Sequence, residues 1–335
     1  MIGSTVYVTE QGASICKEGQ RIIVRKGRES LGSFPVIHVK QIVLFGNVSV
    51  TTPALAYCLT QNIDVILLSA MGRFRGRLVG PEGKNILLRR IQFRKYEDEG
   101  FRLKFVRAIV GAKIHNMRAL LQRAARRRSM DLSATAHRLK TLKDQLATVD
   151  DIDRLRGLEG AASAAYFGCF GHLLAEGWTF PNRNRRPPKD PVNALLSFGY
   201  ALLGLSLEAA VYTTGLDPYV GLFHVVDYGR PSLTLDLMEE FRPVIVDSLV
   251  LNVVNHGYLK PTDFEKRGTG VYLNGVGRAR FIQAYQERLD EEFLCPTGDG
   301  AARRMSYRRC FEVQCRKLIH WMKGETDGYL PVLTR

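Results

Sequence analysis

The architecture of this chain is set around residues 102–128, which read RLKFVRAIVGAKIHNMRALLQRAARRR. Apolar residues recur there at steps of three and four, the spacing that places them along one face of an α-helix. The members of this stripe are Leu103, Val106, Val110, Ile114, Met117, Leu121 and Ala124. The sequence therefore predicts a long helix with one apolar stripe and a largely basic remainder.

The residues before this helix follow a period of two and predict a β-rich N-terminal domain over 1–80. Short β-branched runs broken by glycine are typical of strands. We predict strands at 5–9, 21–25, 36–40, 41–45, 48–51 and 64–68. One helix interrupts them, because Thr52 can cap a helix and Pro53 suits its first position. Runs of this length and spacing indicate a small β-sandwich or barrel.

A turn-rich segment, 81–84, joins this domain to the remainder and is predicted to be a linker. Beyond it we predict an all-helical domain over 85–325. Besides the long helix, its helices are expected at 134–146, 158–175, 191–213, 233–255, 277–293 and 301–322. The predicted fold class is therefore α+β, with a small β-sandwich-like N-terminal domain followed by a larger all-helical domain.

Positive charge is concentrated in one part of the chain. The 48 Lys and Arg residues exceed the 33 Asp and Glu residues, which gives a formal net charge of +15. Residues 81–130 alone carry 14 basic and 4 acidic residues, whereas residues 131–335 carry 25 of each. A field confined to one surface raises the affinity for polyanions. Nucleic acid is therefore the leading candidate partner.

The predicted DNA contacts come from this basic stretch and from a proline-stiffened basic loop at 183–189. A solvated helix face or a plain surface connection would have a similar composition. Arg242, one step along a helix face from Glu239, is a further candidate. The candidates are Lys113, Arg118, Arg126, Arg127, Arg128, Arg183, Arg185, Arg186 and Arg242.

Six cysteines are scattered along the chain without a Cys-x-x-Cys pair, so neither a zinc ribbon nor a disulfide framework is indicated. The first residues lead directly into a strand pattern without signal-peptide character. No apolar run reaches the roughly 20 residues that a membrane span needs. We expect a cytoplasmic protein with reduced thiols and no membrane partner.

Four side chains in the C-terminal half suggest a divalent-metal site. Glu159 opens an alanine-rich helix, and His224 follows an apolar run. Asp236 and Glu239 lie three residues apart on a further helix. Carboxylates together with an imidazole suit a hard cation that remains open to water and phosphate. Each residue alone has a plainer interpretation, since an acid at a helix start complements the dipole and a single histidine is usually a core residue.

At these residues the chain resembles the CRISPR-associated endonuclease/integrase family of the adaptation module, often called Cas one. The similarity covers most of residues 1–320, and the spacing from Glu159 through His224 to Glu239 makes it specific. The main motifs are LEG at 158–160 with YF at 166–167, GLFH at 221–224, GRPSL at 229–233 and DLMEEFRP at 236–243. Further motifs are FGNV at 45–48, TT at 51–52, GRF at 72–74, KIxNxR at 113–118 and NALL at 193–196 with Tyr200.

The resemblance implies that the helical domain, 85–325, is catalytic and that Glu159, His224 and Glu239 hold Mg²⁺ or Mn²⁺. Asp236 is implied as an accessory acid for the cation or the substrate. The third ligand is Asp in many relatives and Glu here. The β-rich domain over 1–80 is expected to serve in dimerisation and DNA contact.

The same resemblance implies metal-dependent DNA endonuclease and integrase activity in adaptive immunity. A DNA 3′-hydroxyl would insert short foreign fragments, called spacers, into the CRISPR array by transesterification, whereas water at the same site would cut DNA. The implied partners are double-stranded fragments with 3′ ends, array DNA, a second copy of the chain and a small ferredoxin-like Cas two subunit. The alternatives are a stand-alone nuclease acting on branched or single-stranded DNA and a non-enzymatic DNA-binding scaffold.

Overall fold

The computed structural model describes residues 4–80, 85–296 and 302–334. The chain divides into two units, Met1–Lys84 and Asn85–Arg335. Strands dominate the first unit and helices the second, so the predicted α+β class is confirmed. The predicted linker, 81–84, lies outside the described residues.

In its described part, the first unit contains two four-stranded sheets and one helix. Its elements are β1 (Ser4–Val8), β2 (Ser14–Glu18), β3 (Arg21–Lys26), β4 (Glu29–Pro35), β5 (Val39–Phe45), β6 (Ser49–Val50), α1 (Thr52–Thr60), β7 (Asp64–Leu68) and β8 (Phe74–Leu78). One sheet has the order β1-β5-β7-β8 and the other the order β4-β3-β2-β6. Ile15 of β2, Ile42 of β5 and Ala54 of α1 belong to one core, so both sheets and the helix pack together as in a sandwich.

Sequence patterns locate some of the strands and miss others. The prediction at 64–68 matches β7, and those at 5–9 and 21–25 match β1 and β3 to within one residue. The run 36–40 instead forms a 3₁₀ turn at Val36–His38 before β5 begins. Strands β2, β4 and β8 were not predicted. Strands β4 and β8 lie at sheet edges, where few side chains are buried and the apolar pattern is weak.

The second unit is built mainly of helices. They are α2 (Ile86–Glu97), α3 (Glu99–Arg128), α4 (Ser133–Gln145), α5 (Ile152–Phe170), α6 (Pro191–Thr213), α7 (Ser232–Phe241), α8 (Ser248–Asn255), α9 (Gly275–Asp290) and α10 (Tyr307–Met322). The all-helical expectation needs one correction, because the described residues also form two antiparallel hairpins. These hairpins pair β9 (Phe264–Arg267) with β10 (Gly270–Leu273) and β11 (Glu292–Pro296) with β12 (Ala302–Ser306).

Capping side chains determine where the helices begin. Asp98 caps α3 and accepts a hydrogen bond from Phe101 N at 2.9 Å. Ser306 caps α10 in the same way, accepting from Arg309 N at 3.3 Å. Residues 302–306, which were predicted to be helical, therefore precede the helix and pair with β11.

Helix α3 is a core helix along most of its 30 residues. The middle of the predicted stripe is buried, but so are residues on other faces, such as Phe105, Ile109 and Ala112. The helix contacts α4, α5 and α7. Its exposed basic residues are therefore confined to its ends, and they are Lys104, Arg126, Arg127 and Arg128.

The predicted helix 233–255 is continuous but changes its winding. Helix α7 passes into a π-helical turn at Arg242–Asp247, and α8 follows directly. Pro243 has no N–H to donate to the carbonyl four residues earlier, which favours the wider turn. Turns of this kind inside helices occur frequently at functional sites.

One described helix, α6, has a length and composition that membrane spans also have, with a mean hydropathy of 1.7 over its most apolar window. However, 56% of that window is buried inside the protein. The core helix of a folded domain passes the same test, so α6 is weak support for a membrane span.

Candidate metal centre

Three helices of the second unit bring Lys113, Glu159 and Glu239 together. Lys113 Nζ on α3 contacts Glu159 Oε1 on α5 and lies 2.6 Å from Glu239 Oε2 on α7. Ser163 Oγ, one turn further along α5, donates to Glu159 Oε1 at 2.8 Å. Two acids that are remote in the sequence therefore share one ammonium group.

Glu159 lies two turns inside its helix rather than at the start. Helix α5 begins at Ile152, because Asp151 caps it and accepts a hydrogen bond from Arg154 N at 3.1 Å. The predicted start of the helix 158–175 is therefore wrong. Glu159 does not complement the dipole at a helix end, and its half-buried carboxylate points to the lysine instead.

Glu239 is almost fully buried, with 3% of its surface exposed. Arg242 Nε lies 3.3 Å from its Oε1 atom, and His224 Nε2 lies 3.7 Å from the same oxygen. Burial raises the pKa of this carboxyl, but the charges of Arg242, Lys113 and His224 outweigh burial and hold the pKa at about 2. Glu239 is therefore charged at neutral pH, as a metal ligand has to be.

His224 is oriented by Asp236. The buried Asp236 carboxylate accepts hydrogen bonds from the backbone N–H groups of Leu222 at 2.6 Å, Phe223 at 3.0 Å and His224 at 2.8 Å. Its Oδ1 atom also lies 2.8 Å from His224 Nδ1. Because a carboxylate only accepts, Nδ1 carries a proton and donates it, so the neutral form of the ring has its lone pair on Nε2. Asp236, predicted as an accessory acid, thus contacts the imidazole and its loop.

The donor set has the chemistry for a divalent cation, but the ligands are not gathered around one point. Among residues 4–80, 85–296 and 302–334, no three His, Cys, Asp or Glu side chains are grouped as a metal site. Lys113 Nζ lies between the two glutamates instead, where positive charge is stabilised. Despite this ion pair, Glu239 Oε2 accepts no hydrogen bond of suitable geometry within the described structure. Two carboxylates and a neutral imidazole are a donor set of the kind that would suit Mg²⁺ or Mn²⁺ in place of the ammonium.

A second buried acid, Asp247, lies five residues after Arg242 in the sequence. Asp247 accepts hydrogen bonds from Tyr200 OH at 2.5 Å and from Tyr166 OH at 3.0 Å. Burial raises the pKa of Asp247 to about 6, although both hydroxyls oppose the rise. The Arg242 guanidinium lies 4.8 Å from the centre of the Tyr200 ring. Sequence reasoning missed Asp247, whose only signal is an acid within the apolar run 243–251.

The predicted DNA contacts divide into three residues with partners inside the protein and six others. Lys113 and Arg242 lie within the centre, where each pairs with Glu239. Arg183 is bound within its own region and donates to Asn193 Oδ1 at 2.7 Å. The half-buried or exposed candidates are Arg118, Arg126, Arg127, Arg128, Arg185 and Arg186.

Helix α3 also presents arginines to an open groove of about 820 Å³. Arg123, Arg127 and Arg128 line it together with residues of α8 and α9. Positive charge along the wall of a groove is the pattern expected for binding a phosphate backbone.

These features define a two-unit α+β protein whose helical unit carries an acid and histidine centre together with a basic surface. Residues 6–287 match the family model described as CRISPR associated protein Cas1. The chain belongs to this family, as the motif spacing from Glu159 to Glu239 predicts.

Two curated relatives match almost the whole chain. The CRISPR-associated endonuclease Cas1 2 of Rhodospirillum rubrum is 37% identical over 341 residues, which cover 98% of this chain and 97% of the relative. A CRISPR-associated exonuclease Cas4/endonuclease Cas1 fusion of Geobacter sulfurreducens is 37% identical over 342 residues. This chain spans only 61% of the length of that fusion.

A solved structure shares the fold. A chain of a Cas6-RT-Cas1--Cas2 complex matches with a TM-score of 0.84 at 27% identity. The match covers 98% of the present chain and 36% of the other.

Proposed function

We propose that the chain is a divalent-metal-dependent DNA endonuclease and integrase that inserts short foreign fragments into a CRISPR array. The observation that carries this proposal is the meeting of Glu159 and Glu239 at one ammonium group, with His224 Nε2 3.7 Å from Glu239. The family and the endonuclease names of the relatives support the same class of activity. We place the activity in the prokaryotic cytoplasm, where the array DNA lies and free thiols remain reduced.

Each side chain of the centre has a separate role. Glu159 and Glu239 would supply oxygen ligands, and His224 Nε2 would supply a nitrogen ligand. When bound, Mg²⁺ or Mn²⁺ supplies a Lewis acid that neutralises the target phosphate. Asp236 keeps the imidazole in the tautomer whose Nε2 is unprotonated. Arg242 adds positive charge beside Glu239, where it can stabilise a phosphodiester as negative charge develops.

The proposed reaction replaces one phosphodiester by another. A DNA 3′-hydroxyl attacks an array phosphate, the new oxygen–phosphorus bond forms, and the bond to the leaving 3′-oxygen breaks. The attacking hydroxyl loses its proton and the leaving 3′-oxygen gains one. No nucleotide cofactor is consumed, because the number of diesters is unchanged. Hydrolysis at the same centre differs only in having water as the nucleophile. In both reactions the side chains contribute by orienting the reactants and stabilising charge.

DNA would lie against the exposed arginines at the end of α3 and in the loop 183–189. The proposed partners are double-stranded fragments with 3′ ends, array DNA, a second copy of this chain and a small ferredoxin-like Cas2 subunit. The solved complex named for Cas1 and Cas2 supports the last of these. We propose the β-rich region 1–80 for dimerisation and DNA contact.

A strand-transfer assay tests this function. The purified chain, a fragment with free 3′ ends and a supercoiled array plasmid are incubated with Mn²⁺, with and without the Cas2 subunit. The wild type should yield joined product, which Glu159→Gln and His224→Ala should lose. Glu176→Gln makes the same acid-to-amide change at an exposed position after α5 and should keep the activity.

The products separate this function from its alternatives. Plasmid cleavage without joined product would favour a stand-alone nuclease acting on branched or single-stranded DNA. DNA binding without cleavage or joining would favour a non-enzymatic scaffold.

A further inference from the structure

The last described residues of the chain, 329–334, are anchored to the second unit by two buried side chains, while Leu330 and Leu333 face solvent. Tyr329 is 5% exposed, and Val332 is fully buried. Their hydrogen bonds and those of their neighbours reach α3, α7 and α10. We call residues 329–334 the C-terminal strap.

Glu240 on α7 holds the strap from one side. Its fully buried carboxylate accepts hydrogen bonds from Tyr329 OH at 2.6 Å and from Val332 N. Gln314 Nε2 on α10 donates to the same carboxylate at 2.9 Å and lies 3.2 Å from Leu330 O. A buried acid with several donors is a firm attachment, because each lost partner leaves a polar group unsatisfied.

Asn116 on α3 joins the strap to α3 and α7. Its Nδ2 group donates to Glu240 O and to Val332 O, each at 2.9 Å. Its Oδ1 atom accepts from Thr334 N at 2.8 Å. The side chain is only 1% exposed, so water does not compete for these bonds. Asn116 is therefore a junction of α3, α7 and the strap.

These attachments lie next to the metal centre on the same two helices. Asn116 follows Lys113 by about one turn of α3, and Glu240 directly follows Glu239 on α7. The ion pair between Lys113 and Glu239 joins the same helices at 2.6 Å. A shift of one helix along the other would therefore alter the strap contacts and the separation of these two side chains together.

We propose that the C-terminal strap positions Glu239 by fixing α7 against α3, with Asn116 and Glu240 as positioning residues. The inference rests on the proposed function, because it treats Glu239 as a metal ligand. It follows that metal affinity depends on side chains that contact neither the metal nor the DNA.

Binding of Mn²⁺ and backbone hydrogen exchange test this inference without an activity assay. Asn116→Ala removes the junction, and a chain ended after residue 328 removes the strap. Asn255→Ala is the matched control, because Asn255 Nδ2 on α8 also donates to a backbone carbonyl, Leu173 O, at 2.9 Å. Free Mn²⁺ is measured by electron paramagnetic resonance, and exchange is followed peptide by peptide.

Both strap variants should weaken Mn²⁺ binding by about tenfold or more, the effect that loss of a positioning partner has at metal sites. Both should also speed exchange in 113–117 and 236–241, whereas Asn255→Ala should change neither. A peptide with the strap sequence YLPVLT, added to the shortened chain, should restore binding and slow exchange.

Wild-type Mn²⁺ affinity together with wild-type exchange in α7 would overturn the inference. If the shortened chain does not fold, Mn²⁺ binding and hydrogen exchange of Asn116→Ala and Tyr329→Phe test the inference instead. A wild type that binds no Mn²⁺ would contradict the proposed function alone, and the exchange data would still decide whether the strap fixes α7.

Discussion

Lys113 Nζ lies 2.6 Å from Glu239 Oε2, and both side chains are almost fully buried. The same ammonium contacts Glu159, so one lysine neutralises two acids from different helices. Removing one partner of a buried ion pair is strongly destabilising, because the other charge stays buried without compensation. Lys113 therefore supplies the positive charge between the two glutamates, and a bound metal ion would compete with it for both carboxylates.

Lys113→Met should lower the metal-free free energy of unfolding by about 3 to 5 kcal/mol, the usual range for a broken buried pair. Mn²⁺ should then stabilise the variant more than the wild type, because no ammonium competes for the carboxylates. Urea unfolding with and without Mn²⁺ measures both effects. Lys140→Met, which removes an exposed pair with Asp144, is the control and should change stability little. If Mn²⁺ raised the free energy of unfolding equally in the wild type and in Lys113→Met, competition between the ammonium and the metal would be contradicted.

Asp236→Asn should weaken Mn²⁺ binding by about 10- to 100-fold without removing a proposed ligand. The amide has one acceptor oxygen, whereas the carboxylate serves three backbone N–H groups and the imidazole with two. The ring of His224 would lose its fixed orientation. Asp227→Asn, at an exposed acid of the same loop, should bind Mn²⁺ like the wild type. Unchanged affinity in Asp236→Asn would show that the ring is oriented by other contacts.

Asp247 should make stability depend on pH. Burial raises its pKa from 3.8 to about 6, so the folded protein binds this proton more tightly than the unfolded chain. The resulting stabilisation is complete below about pH 4 and is lost as the pH rises through 6. A difference of roughly two pKa units corresponds to about 3 kcal/mol.

Asp247→Asn should remove this contribution to the fall in the free energy of unfolding with rising pH. Urea unfolding between pH 4 and 7.5 would measure the change. Glu240, whose pKa burial raises to about 7, contributes in the same direction in both proteins. The informative quantity is therefore the difference between the two profiles. Parallel profiles would rule out the titration of Asp247.

Replacing Arg126, Arg127 and Arg128 together by Ala should weaken DNA binding and flatten its salt dependence. Each lost phosphate contact lowers the slope of log K against log salt by about 0.9 on duplex DNA. Binding titrations at several salt concentrations measure the slope. The control replaces exposed Lys266 and Arg267 of β9 by Ala. An unchanged slope in the triple variant would remove these arginines from the DNA surface.

Features that depend on neighbouring residues were predictable. Helix α6 matches the predicted range 191–213 to the residue, because Asp190 caps it, Pro191 suits its first turn and its residues are largely apolar. The α+β class follows from the change of period between the two units. The family follows from the spacing of Glu159, His224 and Glu239, since spacing is a property of the sequence itself.

Relationships between distant residues could be read only after folding. No local pattern places the Lys113 ammonium between two acids, directs Asp236 to the imidazole, or buries Asp247 between two tyrosines. The strap joins Asn116 to residues more than 200 positions later in the chain. Hydrophobic periodicity and capping act within a few residues, whereas these contacts depend on how helices pack. The residue types of the centre are therefore visible in the amino-acid order, but their partners and charges are products of the packed helices.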